Sequence, residues 1–355
     1  MSSPKGDAKD RVFPEVVLSG MRSTGELHLG HYFGVIANWL ELQDKYKTFV
    51  FAADWHALTT DAVQPELIAK ARRDNVVDWL SCGMDPAKST IYIQSEVKQV
   101  AELHLLFSMI TPLGWLERNP TYKEQREQLG DSTDENANAK SNAPKDVSCL
   151  GFLAYPVLQA ADIAIVRGTL VPVGEDQLPH LELNREMVRR FVHLYKKKVF
   201  PEPKALLTPV SKLLGTDRRK MSKSYGNTIS LQETPKSLEK KVKSMVTDPQ
   251  KVRLGDPGRP EICNVFSYHQ LFEKQPVGLP LPEIDAECRS GKLSCGACKA
   301  DLTQKLDSFL NPIRSRRAEL TANPNFVDDV LNQGRKTVGA VAQEVMEEIK
   351  TVFHW

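Results

Sequence analysis

The chain lacks both of the familiar glycine-rich phosphate signatures: neither G-x-G-x-x-G nor G-x-x-x-x-G-K-[ST] occurs in its 355 residues. Any nucleotide site must therefore be built another way. No apolar run approaches the length of a membrane span. The opening Met1–Arg11 has neither an apolar secretion core nor an Arg-rich amphipathic pattern, so the cytoplasm is the expected compartment and no membrane partner is expected. A strong charge bias is missing too: 47 Lys+Arg against 45 Asp+Glu leave +2. A nucleic-acid partner would have to use local patches, for which Arg189-Arg190, Lys196–Lys198, Lys236 to Lys243, and Arg314 with Arg316-Arg317 are the candidates. There is no internal repeat. What remains, 41% hydrophobic and 26% charged, suits a globular protein of about two domains whose core needs no disulfide staples.

The first two thirds alternate strands and helices, which predicts a doubly wound α/β fold around a parallel sheet. Val16-Val17-Leu18 reads as a buried strand, followed by Thr48–Ala53, Thr90–Gln94 and Leu170–Val173. Helices are expected over His31–Tyr46, Glu66–Ser81, Val97–Ile110, Phe152–Ile165 and Gln177–Tyr195. The polar stretch 119–148 reads as a surface insertion. After about residue 229 the pattern is helical. Thr234-Pro235 forms a cap and first turn, Leu238, Val242, Met245 and Val246 follow at helix spacing, and Val341, Val345, Ile349, Val352 and Phe353 repeat it. Two domains follow, 1–228 and 229–355. Ile91–Ile93 and the helix bearing Leu103, Leu106, Phe107 and Ile110 offer apolar surface for a subunit interface.

Two stretches carry the chemistry. Gly20-Met21-Arg22-Ser23-Thr24-Gly25 empties the first strand into a turn, and His28-Leu29-Gly30-His31 opens a helix. Unpaired N–H groups at a helix start attract phosphate. His28 and His31, three apart, share one side of that turn, and Gly30 lets a flat ligand approach the backbone. Far downstream, Lys220-Met221-Ser222-Lys223-Ser224 places two ammonium groups in a loop entered through Gly215, Thr216 and Asp217. Separately, Cys263, Cys288, Cys295 and Cys298 form C-x24-C-x6-C-x2-C, a metal pattern; zinc and an iron–sulfur cluster both accept four thiolates. Cys82 and Cys149 are isolated and read as inert.

The H-x-G-H stretch and the Lys220–Ser224 loop resemble the ATP motifs of the class I aminoacyl-tRNA synthetases. From Val16 onward the chain resembles the tryptophanyl-tRNA synthetases, the bacterial subgroup with four cysteines in its C-terminal domain. The likeness runs through Leu18-Ser19-Gly20-Met21-Arg22, Ala53-Asp54-Trp55-His56-Ala57, Thr121-Tyr122-Lys123-Glu124, Tyr155–Asp162 and Val171–Gln177. It implies a Rossmann-like catalytic domain and a helical anticodon-binding domain. The implied reaction is attack of the tryptophan carboxylate on the α-phosphate of ATP, expelling Mg²⁺-bound pyrophosphate, and then transfer to tRNA(Trp).

The resemblance also carries over residues. His28, His31, Lys220, Lys223 and Lys123 would be catalytic. Arg22, Ser23, Thr24, Gly30, Gly174, Glu175, Asp176, Met221, Ser222 and Ser224 would join them around ATP. Asp162 would receive the indole N–H, with Tyr155, Gln177, Leu18 and His56 shaping the pocket. The cysteines would hold [4Fe–4S], with zinc as the alternative, and the enzyme would be a homodimer. A tyrosyl-tRNA synthetase, or a small-molecule adenylyltransferase of the same H-x-G-H fold, remains open at this point.

Overall fold

The computed structural model describes residues 11–61, 65–120, 122–123, 149–207 and 213–355. Five parallel strands, β1 (Val16–Arg22), β2 (Lys47–Ala53), β3 (Ser89–Ile93), β4 (Leu170–Val173) and β5 (Lys204–Leu207), stand in the order β3-β2-β1-β4-β5. The order reverses between β1 and β4, where Val17 faces Leu170. Open sheets of this kind bind ligands at that point, beyond the strands' carboxyl ends. Strand β2 is buried along six of its seven residues. Phe49 and Phe51 enter the core on one face of the sheet, Val50 and Ala52 the core on the other.

Helices fill the crossovers. After β1 the chain forms α1 (Leu29–His31), a π-helical turn (Tyr32–Ile36) and α2 (Ala37–Leu42). Then come α3 (Asp54–Asp61), α4 (Pro65–Ser81), α5 (Lys98–Ile110), α6 (Leu113–Glu117), α7 (Leu150–Ile165) and α8 (Leu178–Tyr195). The expected helix 31–46 is thus shorter, and a π turn that leaves no local sequence signal interrupts it. Strand β5 is also unanticipated: Lys-Ala-Leu-Leu is short and half exposed at a sheet edge, so it shows no buried apolar run.

The C-terminal part is helical: α9 (Pro235–Lys243), α10 (Asn264–Leu271), α11 (Leu281–Arg289), α12 (Cys295–Ala322) and α13 (Pro324–Phe353). Thr234 caps α9 by accepting from Ser237 N–H. Leu238, Val242 and Met245 are buried as expected, whereas Val246 lies past the helix end and is exposed. Helix α13 returns to the sheet and covers its β3 edge. A Cβ at Gly334 would lie 1.8 Å from the Ile91 carbonyl oxygen, so only glycine lets helix and strand meet there.

Two expectations change. Ile91, Ile93, Leu103, Phe107 and Ile110 are core residues and Leu106 is half-buried against them; on α5 it is Leu105 and Met109 that face outward. Several candidate RNA-binding arginines are tied up within the fold. Arg189 bonds Glu182, Glu186 and Glu202, Arg190 donates to Ile110 O, Arg314 to Glu233 O, and Arg317 pairs with buried Asp78 at 2.7 Å. Most of the stretch 119–148 lies outside the described residues. Among the described residues no helix is long and apolar enough to cross a membrane.

Candidate active site

The carboxyl ends of β1, β2 and β4 open onto a cavity of about 420 Å³, within the usual range for a small-molecule site. Leu18 and Arg22 come from β1, His56 from α3, Tyr155 and Asp162 from α7, Gly174 and Gln177 from the turn after β4, and all seven line it. Asp162 is 1% exposed. Gln94 Nε2 donates to both of its oxygens, at 2.9 and 2.8 Å, and His56 Nε2 lies 2.9 Å from Oδ2. Burial pushes the Asp162 carboxyl above the usual carboxylate range, and these hydrogen bonds pull it back. Gln94 is itself clamped, its Oε1 accepting from the backbone N–H of Trp55 and His56. On the opposite wall the Tyr155 hydroxyl bonds His180 Nε2 at 2.7 Å, while Asn119 Nδ2 meets His180 Nδ1 at 2.9 Å. Burial lowers His180 to about 4, so the ring is neutral.

A paired-histidine corner is built next to it. His28 caps α1, its Nδ1 accepting from Gly30 N–H, and His31 Nδ1 accepts from His28 N–H, both at 3.1 Å. Burial first, and then Lys223 among the neighbouring charges, lowers His28 to about 4 and His31 to about 3. Both rings are therefore neutral with Nδ1 occupied as acceptor, which leaves the proton on Nε2 of each as a donor. Gly30 is explained by the same contacts: a Cβ there would lie 2.9 Å from the His28 ring.

The distant lysine loop arrives at this corner. Leu29 N–H donates to Ile229 O and Leu231 N–H to Leu27 O, both at 3.0 Å. Met221 is buried beside Gly30, and Lys223 Nζ donates to Thr24 O at 3.0 Å. Asn227 holds the loop's shape. It donates to Asp217 Oδ1 (2.7 Å) and Lys220 O (3.1 Å), and its Oδ1 accepts from Ser222 N–H (2.8 Å). Asn227, ahead of Arg219, holds the Asp217 carboxyl down at about 2.

Other predicted residues lie around this centre. Ser23 is buried with an unpartnered hydroxyl, and Thr24 supplies the Lys223 acceptor. Glu175 and Asp176 sit in an exposed turn at the cavity's rim, Asp176 accepting from Gln177. Lys220, Ser224 and Lys123 are exposed; Lys123 donates its N–H to Asn119 O just before residues 124–148, which lie outside the described set. Sequence reasoning missed Gln94, Asn119, His180 and Asn227. For Gln94 there was a usable signal, an amide at the carboxyl end of a parallel strand.

The four cysteines meet around one small cavity that Val265, Leu293 and Lys251 also line. A Cβ at Gly258 would fall 2.5 Å from Cys288 Sγ, so that glycine leaves room for the sulfur. Burial pushes the Cys298 thiol up to about 12, and the other three cysteines add to it. His269 Nε2 lies 3.1 Å from Cys298 O and 3.4 Å from its Sγ. Among the described residues no group of three or more His, Cys, Asp or Glu is positioned to hold a metal ion.

Comparison with known proteins points to one family. A family model described as tRNA synthetases class I (W and Y) matches residues 14–311. The tryptophan–tRNA ligase of Aquifex aeolicus is 45% identical, the match covering 95% of this chain and 99% of the relative. That of Thermotoga maritima is 46% identical, over 95% and 98%. The crystal structure of tryptophanyl-tRNA synthetase from Campylobacter jejuni, complexed with ADP and tryptophan, superposes with a TM-score of 0.82 at 32% identity, covering 96% of this chain and all of that one. With a parallel sheet, a paired-histidine helix start and a lysine loop seated against it, the chain belongs to the class I tRNA synthetases for tryptophan and tyrosine, and within them to the tryptophan–tRNA ligases.

Proposed function

We propose that the cavity takes L-tryptophan and that the His28–Lys223 corner takes the triphosphate of ATP in tryptophanyl-adenylate formation. The observation that carries this is the seating of Lys223 on Thr24 beside His28 and His31, nearly two hundred residues apart in sequence. Activation moves negative charge from the α-phosphate towards the leaving pyrophosphate, so positioned donors and cations are what lowers the barrier. The Nε2–H groups of His28 and His31 and the ammonium groups of Lys223 and Lys220 supply them, with Arg22, Ser23, Thr24, Gly30 and the loop residues Met221, Ser222 and Ser224 around the nucleotide. Gly174, Glu175 and Asp176 would contact it from the β4 side, and Lys123 would approach from the insertion. Mg²⁺ would ride on phosphate oxygens and water.

Asp162 is suited to the indole. An ionised carboxylate accepts about four hydrogen bonds, and Gln94 and His56 take three sites. The spare one would accept from the donor-only indole N–H. Tyr155, Gln177, Leu18 and His56 would close around the ring and the amino-acid end.

Transfer to tRNA(Trp) assigns 1–228 to catalysis and 229–355 to the anticodon, with Lys236 and Lys240 of α9 exposed for phosphate. Exposed Leu105 and Met109 favour a homodimer, working in the cytoplasm. Four thiols around one apolar cavity are the donor set of a Cys₄ group, so Cys263, Cys288, Cys295 and Cys298 would hold [4Fe–4S] or zinc, which would order the stretch Lys274–Leu293. Anaerobically purified protein that is colourless and carries zinc would exclude the cluster. The function itself is tested by pyrophosphate exchange with each standard amino acid: tryptophan alone should support it, and equal exchange with tyrosine would overturn the assignment.

A further inference from the structure

The lysine loop is anchored from outside the catalytic sheet. Its base folds on itself through Met221 N–H to Leu213 O (3.1 Å) and Gly215 N–H to Arg219 O (2.7 Å). Two carbonyls of that base are then taken by one helix: Asn264 Nδ2 donates to Gly215 O at 2.8 Å, and the Tyr268 hydroxyl donates to Leu214 O. Asn264 and Tyr268 lie four apart on α10, on one face, and both are buried. Helix α10 starts at Cys263, its N-cap residue, and near its other end His269 touches Cys298. The same helix thus bears on the four-thiol site and on the loop that delivers Lys223 to Thr24. Neither Asn264 nor Tyr268 lines the tryptophan cavity.

We infer that α10 is a strut between the four-thiol site and the lysine loop, with Asn264 and Tyr268 as positioning residues for adenylate formation. Carbonyls that lose these donors face a buried helix side with no replacement donor on it, so the loop base shifts. A small displacement of the ammonium groups is enough to slow a reaction that depends on their placement. The inference rests on the assignment of the lysine loop to the triphosphate.

Tyr268→Phe removes one donor and keeps the ring, and Asn264→Ala removes the other. Tyr268→Phe is expected to lower kcat for tryptophan-dependent pyrophosphate exchange about tenfold, to leave the tryptophan Kd unchanged by direct titration, and to speed amide hydrogen exchange across 213–227. Cys298→Ser should speed exchange of the same amides, and the double variant should exchange no faster than the faster single. Should Asn264→Ala fail to fold, Tyr268→Phe decides alone. Unchanged kcat and unchanged amides in Tyr268→Phe, with Lys223→Ala severely impaired, would overturn the inference and leave the loop assignment standing. So would an equal loss of tryptophan affinity, which marks general disorder. Intact exchange in Lys223→Ala would remove the loop assignment and this inference with it.

Discussion

The cavity around Asp162 and the lysine loop are built from opposite materials. The cavity is walled by strand ends and helices of the core, and its key carboxylate is locked by Gln94 and His56 at 1% exposure. The loop is exposed at Lys220, Lys223 and Ser224, and its shape is held by three hydrogen bonds to the Asn227 amide and one each from Asn264 and Tyr268. A site that must tell one ring from another needs fixed, desolvated polar groups, because an unmatched one is costly. A site that must follow moving charge needs cations on a segment that can adjust. On the proposed roles, selection and rate reside in different parts of this chain.

The largest expected break comes from the rate side. Lys223→Ala should lower kcat for pyrophosphate exchange by about a hundredfold or more, with the tryptophan Kd unchanged in a direct titration. On the selection side, Asp162→Ala should weaken tryptophan by about 1–3 kcal/mol and erode discrimination against phenylalanine, while ATP affinity stays nearly intact; equal losses for both ligands would move Asp162 out of the pocket. A smaller effect is expected at Asn227→Ala, which removes the side-chain partner of Lys220 O and Ser222 N–H and leaves Asp217 held by Arg219 alone. Its KM for ATP should rise about tenfold, and an unchanged KM would show that the loop keeps its shape without the amide.

The mildest prediction concerns acid. His28, His180 and His269 are lowered to about 4 and His31 to about 3, against 6.5 for the free group. Between those values the unfolded chain binds protons that the folded chain refuses, so stability is complete above pH 6.5 and falls as the pH drops towards 4. Tm should therefore decline from pH 7 to 5, while exchange activity shows no limb near 6.5. A limb with its midpoint near 6.5 would mean that one of the paired histidines titrates in the working enzyme.

Much of this was legible in the sequence, and for identifiable reasons. The first three residues of β1 and most of β2 to β4 are buried and so read as apolar runs. The H-x-G-H and Lys220–Ser224 stretches are local patterns whose spacing survives in the fold. What stayed hidden depends on packing between distant segments. Nothing near Asn227 says that it will bracket the lysine loop, and nothing near His180 says that it will meet Tyr155 and Asn119. Gly30 shows the limit from the other side: the sequence reads it as room for a flat ligand, and in the fold the group pressing on it is the His28 ring. Arg314 and Arg317 read as an RNA patch until their acceptors, Glu233 O and Asp78, came into view.

The most direct test of divided labour is kcat/KM for tryptophan-dependent pyrophosphate exchange in Asp162→Ala, Lys223→Ala and the double variant. The account predicts that the two losses multiply, to within about twofold. A double variant no worse than the weaker single would show that the cavity and the loop act as one unit.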